Sequence, residues 1–371
     1  MTAPRPGRAL RIHAGPAALR HIARQGLAPA DVGVVPAAAG GPKGLVLGPL
    51  DRFLFGGWLN AAATPVHLVG ASIGAWRMAT ACMERPVEAF ERLEQAYIHQ
   101  AYDVPPGQRR PPPSHVSERF GRNLQAFYAG HVDEVLAHPR YRLHVVTSRG
   151  RHLLGREHRV ATPLGYLGAF AANAVHRRAL GWWLERVVFS SPEPQGGPAA
   201  LPFDARDYPT RQVALREDNF LQALQASCSI PFVLQAVHDI PGAPRGAYWD
   251  GGITDYHLHL AYGTARTGPL VLYPHFQRHV VPGWLDKGLR WRHRATPALD
   301  AMVLLSPDPA WVRDALPDGK LPDRQDFMRY GLDTAARARA WGTAVAASRQ
   351  LADEFAAWLD GGCPADRVEP L

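Results

Sequence analysis

The stretch Val66-His67-Leu68-Val69-Gly70-Ala71-Ser72-Ile73-Gly74 decides the fold. It opens on an apolar run, and residues 66–72 read as a buried strand. Residues 74–85, GAWRMATACMER, read as a helix that stops near Pro86. Between them Ser72 stands in a G-x-S-x-G pattern, with Gly70 and Gly74 small enough for strand and helix to pack closely. A serine on so sharp a strand-to-helix turn is lifted into the open. There the free N–H groups and the dipole of the helix start favour developing negative charge. A serine that merely caps the helix is the plainer alternative, and this segment alone leaves it open.

The same alternation extends outward. Upstream, VGVVPAAAGG (32–41) reads as a buried strand running into glycines, and residues 43–59 read as a helix with Leu47, Leu50 and Leu54 at helical spacing. The β-α-β-α order predicts a parallel sheet covered by helices, an α/β fold of three α/β/α layers. Downstream, strands are expected over 142–148, 186–191, 237–240, 247–252, 269–275 and 302–308, and helices over 217–227 and 323–359. The segment 164–184 carries Tyr166, Phe170, Trp182 and Trp183 and reads as a buried helix or a cap that touches lipid. VPPGQRRPPP (104–113) and residues 191–203 read as loops. The expected organisation is an Ala/Arg-rich segment 1–30, starting in a short disordered tail, then a single domain 31–371.

Composition narrows the class. The chain has 371 residues, 46% of them hydrophobic and only 20% charged, which excludes a wholly disordered protein. Three cysteines (Cys82, Cys228, Cys363) do not make a complete disulfide framework. The basic N-terminus lacks an apolar signal core, and no run is long and apolar enough for a membrane span, so a cytoplasmic protein is expected. The 41 basic and 33 acidic side chains leave a net charge of +8. Nucleic acid is a poor fit, because no helix-turn-helix, zinc or RNA-reading motif accompanies that charge.

Two further motifs carry chemistry. Gly40-Gly41-Pro42-Lys43-Gly44 lies between strand and helix, where backbone N–H groups of Gly40, Gly41, Lys43 and Gly44 can converge on an oxyanion. A nucleotide loop is disfavoured: Gly44 stands where G-x-x-x-x-G-K-[ST] needs Ser or Thr, and Ala39 stands at the first position of G-x-G-x-x-G. Asp250-Gly251-Gly252 follows an apolar triplet at a strand end, and Asp250 is placed to accept a proton. Asp360-Gly361-Gly362 has the same letters but ends an amphipathic helix, so Asp360 reads as structural. His257, His259, His275 and His279 follow Asp250 in the chain order of a Ser–Asp–His triad and read instead as surface or interface histidines. No His/Cys spacing matches a zinc site, and neither metal nor cofactor is expected.

Taken together, GGPKG, GASIG and WDGG in this order resemble the patatin-like phospholipases. The segment Ala226-Ser227-Cys228-Ser229-Ile230-Pro231-Phe232 is similar to the stretch that precedes that family's Asp motif. The resemblance spans about residues 32–255. It implies a patatin-like fold with a nucleophile elbow, Ser72 as nucleophile and Asp250 as proton acceptor. It also implies an oxyanion hole on the glycine run and hydrolysis of lipid acyl esters without a cofactor. Ala39 replaces the family's usual first glycine, and Pro42 has no N–H to donate. A transacylase or thioesterase using the same residues, and a binding protein that has lost turnover, remain alternatives. The cluster Arg149, Arg151, Arg156 and Arg159, and a second one of Lys287, Arg290, Arg292 and Arg294, read either as solvated faces or as places of peripheral contact with an anionic membrane surface.

Overall fold

A computed structural model describes residues 7–108, 110–193, 195–263 and 268–371. The expected N-terminal tail falls on residues 1–6, outside the described residues. In chain order the strands are β1 (Leu10–Ala14), β2 (Val32–Ala37), β3 (Val66–Ala71), β4 (Tyr141–Gly150), β5 (Leu184–Ser190), β6 (Thr210–Ala214), β7 (Val237–His238), β8 (Ala247–Asp250), β9 (Leu270–Pro274), β10 (Met302–Pro307) and β11 (Val368–Pro370). They form one sheet in the order β11-β1-β10-β9-β2-β3-β4-β5-β6, with β8 on β4 and β7 on β8. The run from β10 to β4 is parallel throughout. β1 runs antiparallel to β10, and β5 antiparallel to β4, so the sheet is mixed toward both edges. This is the expected α/β architecture with a mostly parallel sheet.

Burial follows from that topology. Every residue of β2, β5, β9 and β10 is buried, so both faces of the sheet are covered, as parallel strands require. The edge strands β6 and β11 keep solvent contact. No helix among the described residues is long and apolar enough to cross a membrane.

Several elements depart from the sequence reading. The helix expected over 43–59 is a succession: a 3₁₀ turn (Gly41–Leu47), one α turn (Gly48–Phe53), a π turn (Leu54–Trp58) and a closing 3₁₀ turn (Leu59–Ala61). Pro42 and Pro49 cannot donate into an α ladder, and Gly56-Gly57 loosens the backbone inside the π turn. The helix expected over 323–359 is three pieces, Asp326–Arg329, Thr334–Ala347 and Arg349–Asp360. Its first break holds Gly331 at φ +52°, and Asp333 then caps the next piece through Ala336 N–H. β1, β6 and β11 carry no apolar run in the sequence. β1 lies between β10 and β11, so residues of the 1–30 segment contribute a strand to the common sheet.

Candidate active site

A change of partner along β4 builds the site. Its first six residues pair in parallel with β3, ending on Ala71 opposite Val146. Its next residues pair on the same flank with β8, which arrives antiparallel and ends on Asp250 opposite Thr147. Two strands thus run toward each other along one neighbour and stop at adjacent positions. The residue leaving β3 is Ser72, and the residue ending β8 is Asp250. Ser72 Oγ donates to Asp250 Oδ2 at 2.7 Å.

The local backbone holds this meeting under strain. Ser72 has φ +56° and ψ −130°, a conformation that L-residues rarely adopt. The turn is possible only because its neighbours lack side chains. A Cβ on Gly70 would stand 2.4 Å from Ala75 Cα, and one on Gly74 would stand 1.9 Å from the Ala37 carbonyl oxygen. One on Gly251 would lie 2.0 Å from Val146 O. The helix that follows Ser72, Ile73–Ala81, is buried along its whole length.

Ser227, at the end of the helix Glu217–Ser227, stitches the corner together. Its Oγ accepts from Ser72 N–H at 2.9 Å and donates to Val146 O at 2.7 Å. The Ser227 and Ser229 carbonyls accept from Gly251 N–H at 3.1 Å and Asp250 N–H at 2.9 Å. Sequence pattern marks this segment, but only three-dimensional pairing shows that Ser227 ties the ends of β3 and β8 to the middle of β4.

Asp250 is buried, and that desolvation raises its carboxyl pKa to about 6, against the lowering pull of the hydrogen bonds from Ser72 and from Gly252 N–H. A carboxylate poised there is a far better base near neutral pH than an exposed aspartate.

The Gly40–Gly44 turn packs against this corner. Gly40 lies on the Phe276 ring, where a Cβ would come within 2.5 Å, and Gly44 lies against Ile73. The N–H groups of Gly40 and Gly41 have no partner among the described residues, while Lys43 and Gly44 lie inside the 3₁₀ turn. Ala39 fits because its Cβ faces Gly252: a Cβ there would stand only 2.6 Å from it. The N–H of Ala39 donates to Tyr256 O at 2.9 Å.

The histidines go elsewhere. His257 Nδ1 lies within hydrogen-bond distance of the His279 carbonyl and the Val281 N–H, His259 bonds Val280 O and Thr296, and His275 Nδ1 faces the Gln277 backbone. Among the described residues no imidazole bonds Ser72 or Asp250. Asp360 is exposed at the end of its helix. No group of three His, Cys, Asp or Glu side chains among the described residues is arranged to hold a metal ion.

A family model, patatin-like phospholipase, matches residues 39–257, more than half of the chain. The chain belongs to the patatin-like phospholipase family. Membership suggests a serine hydrolase. Among solved structures this patatin-like chain is similar to human GIVD cytosolic phospholipase A2, at 12% identity and a TM-score of 0.44. That similarity covers 94% of this chain and 62% of the human one. It is also similar to VipD from Legionella pneumophila, at 15% identity and a TM-score of 0.37, covering 95% of this chain and 72% of that one. The chain therefore spans less than two thirds of the human enzyme's length. No curated protein sequence matches it.

Proposed function

We propose that this protein is a serine acyl hydrolase of lipid esters that works through Ser72 and Asp250. The observation that carries the reading is the 2.7 Å bond from Ser72 Oγ to a buried Asp250 carboxylate, at a backbone conformation that three close-packed glycines make possible. Ser72 Oγ attacks the ester carbonyl while its proton passes to Asp250. The carbonyl oxygen, now negative, is received by the N–H groups of Gly40 and Gly41, with Lys43 and Gly44 on the same turn behind them; one such donor is worth about 3 kcal/mol of barrier. Collapse expels the alcohol, which takes the proton from Asp250 and leaves an acyl group on Ser72. Water then attacks the acyl-enzyme, gives its proton to Asp250, and the carboxylic acid departs as Ser72 recovers its hydrogen.

Lipid is met at a surface beside this corner. The helix Ala161–Val175 turns Thr162, Gly165, Tyr166, Ala169 and Asn173 inward. Its outward face is apolar too, with Leu164, Leu167 and Val175 exposed, and Trp182 follows at 72% exposure. Exposed Arg156, Arg159 and Arg178 flank it. Such a face beside cations fits an anionic lipid surface. The two basic clusters are thinner than their letters imply. Arg149 pairs with Glu185 at 2.8 Å, Arg151 donates to Gly181 O, and Arg292 pairs with buried Asp286 at 2.8 Å.

The test is a fluorophosphonate probe and a p-nitrophenyl ester series. Wild type is expected to label at Ser72 and to turn over, whereas Ser72→Ala neither labels nor hydrolyses, a loss of at least about 10³-fold. Asp250→Asn falls with it, and Asp360→Asn does not. Folded wild type that never labels at Ser72 would sink the reading.

A further inference from the structure

The glycine turn is thinly equipped with donors. Pro42 has no N–H, and the N–H of Ala39 is spent on Tyr256 O at 2.9 Å. Gly40 and Gly41 remain as its free backbone donors. A side chain from elsewhere stands beside them. Tyr97 is the last residue but one of the helix Pro86–Ile98. Its hydroxyl lies over Gly41: a Cβ on that glycine would stand 3.7 Å from Tyr97 Oη. The other atoms against the same spot are methylenes of Arg324, the nearest at 3.4 Å, and methylenes donate nothing. Gly41 holds φ +57°, a conformation that favours a residue without a Cβ, so the hydroxyl is left close to the backbone of the turn.

The ring that carries this hydroxyl is fixed by two others. Its centre lies 6.2 Å from that of Trp76 and 6.2 Å from that of Trp341. Trp76 belongs to the buried helix Ile73–Ala81 that starts next to Ser72, so Tyr97 rests on the same rigid element as the nucleophile. Tyr97 is nevertheless half-buried rather than sealed. Among the described residues its hydroxyl makes no hydrogen bond. Burial raises the pKa of the phenol, Tyr102, Cys228 and Asp250 add to the rise, and Arg324 opposes it. A phenol held protonated in this way has one hydrogen to donate. The distances admit an acceptor shared with the turn. A Cβ lies about 2.5 Å from its own backbone nitrogen, so Tyr97 Oη is at most about 6 Å from Gly41 N. One oxygen between them can sit about 3 Å from each, the length of a good hydrogen bond.

We propose that Tyr97 is a third donor of the oxyanion hole, its hydroxyl receiving the carbonyl oxygen of the ester together with the N–H groups of Gly40 and Gly41. This rests on the hydrolase reading above and brings into that reaction a side chain from outside the glycine turn. The hydroxyl keeps its hydrogen throughout. Its bond to the oxygen strengthens as negative charge gathers there, which lowers the barrier rather than tightening the substrate. A side-chain donor makes up for the N–H that Pro42 lacks.

The experiment is Tyr97→Phe in the full-length protein, which keeps the ring and removes only the hydroxyl. On p-nitrophenyl hexanoate it is expected to lower kcat about 100-fold with KM within about twofold, as loss of one oxyanion donor implies. The melting temperature should stay in place. The pH profile of kcat/KM should still rise near 6, because Asp250 remains the base. A folded Tyr97→Phe protein whose kcat stays within about threefold of wild type would overturn the proposal. So would a loss carried by KM alone, which makes Tyr97 a wall of the acyl pocket, or a displaced pH profile, which makes it a positioning residue for Asp250. Binding keeps this result apart from the fate of the hydrolase reading. In the Ser72→Ala protein hexanoate offers the donors a charged oxygen, and hexanol does not. Adding Tyr97→Phe is expected to weaken hexanoate about tenfold in calorimetry and to leave hexanol unchanged. Selective weakening in a protein whose Ser72 never labels with fluorophosphonate defeats only the hydrolase. A labelled Ser72 with unchanged kcat and unchanged hexanoate affinity defeats only the third donor.

Discussion

Two apolar helices of this protein meet opposite fates. Ile73–Ala81 is buried at all nine positions, pressed between the sheet and its neighbours. Ala161–Val175 buries five residues and leaves Leu164 and Leu167 in solvent at 55% and 65% exposure. A helix without a polar face is stable only when something covers all of it. The first helix is covered by its own fold, and its place next to Ser72 is therefore rigid. The second lacks part of its cover, and it is the face that the proposed function sets against a lipid surface.

The rigid helix can be broken with a single methyl group. Gly74→Ala would set a Cβ 1.9 Å from Ala37 O, a backbone atom of β2 that has nowhere to go. We expect loss of the native fold or a destabilisation of at least about 3 kcal/mol, read by chemical denaturation. On the outer helix, Gly168→Ala would meet the half-buried Trp183 ring rather than backbone, and is expected to cost less. Equal costs would erase the contrast between the two helices.

The same contrast explains what the sequence reveals. The elbow, the glycine turn and the Asp250 corner are all legible because each depends on local letters: an apolar run, a glycine, a polar atom. Steric exclusion is local at Gly70, against Ala75, and reaches across the chain at Gly74 and Gly251, against Ala37 and Val146, yet each leaves a glycine in the sequence as its signature. What stays hidden depends on pairing across the chain. β6 has partly exposed polar residues because it is an edge, and β11 is three residues long, so neither shows periodicity. Ser227 ties the end of β3 to the middle of β4 through bonds to residues 155 and 81 positions away in sequence. Lys287 reads only as one letter of a basic cluster, and its seat over the Tyr256 ring is visible only in three dimensions. The 287–294 cluster illustrates the reverse: four basic letters, of which Arg292 is spent on an internal pair.

A smaller effect lies in Asp250 itself. Its folded pKa, about 6, exceeds the usual aspartate value near 3.9. Between those values the unfolded chain has released the proton that the native state keeps, so this group's contribution to stability falls as pH rises from about 4 to about 6. Above that window the charged, buried carboxylate is a standing cost on the order of 2–3 kcal/mol. Asp250→Asn is expected to abolish ester turnover and to raise the melting temperature at pH 8, with the gain shrinking toward pH 4. For wild type, kcat/KM should climb through an apparent pKa near 6 as Asp250 becomes able to accept the Ser72 proton. A variant less stable than wild type at pH 8 would mean that the carboxylate is held by the fold rather than strained by it.

The smallest expected effect belongs to the outer helix, and it is the one that says what the uncovered face is for. Leu164 and Leu167 contribute little to the fold where they stand, since surface substitutions of this kind stay within about 0.5 kcal/mol. Inserted into a lipid interface they would each gain roughly 1 kcal/mol from apolar area removed from water. The double change Leu164→Asn with Leu167→Asn should therefore leave the melting temperature in place and weaken sedimentation with vesicles of equal parts phosphatidylglycerol and phosphatidylcholine by about tenfold. Wild-type binding should also weaken in high salt, because Arg156, Arg159 and Arg178 act through a screened field. Loss of vesicle binding with salt but not with the leucine changes would assign the contact to charge alone and leave the apolar face without a role. The reverse would show that the helix inserts by its leucines and that the flanking arginines are ordinary surface charge.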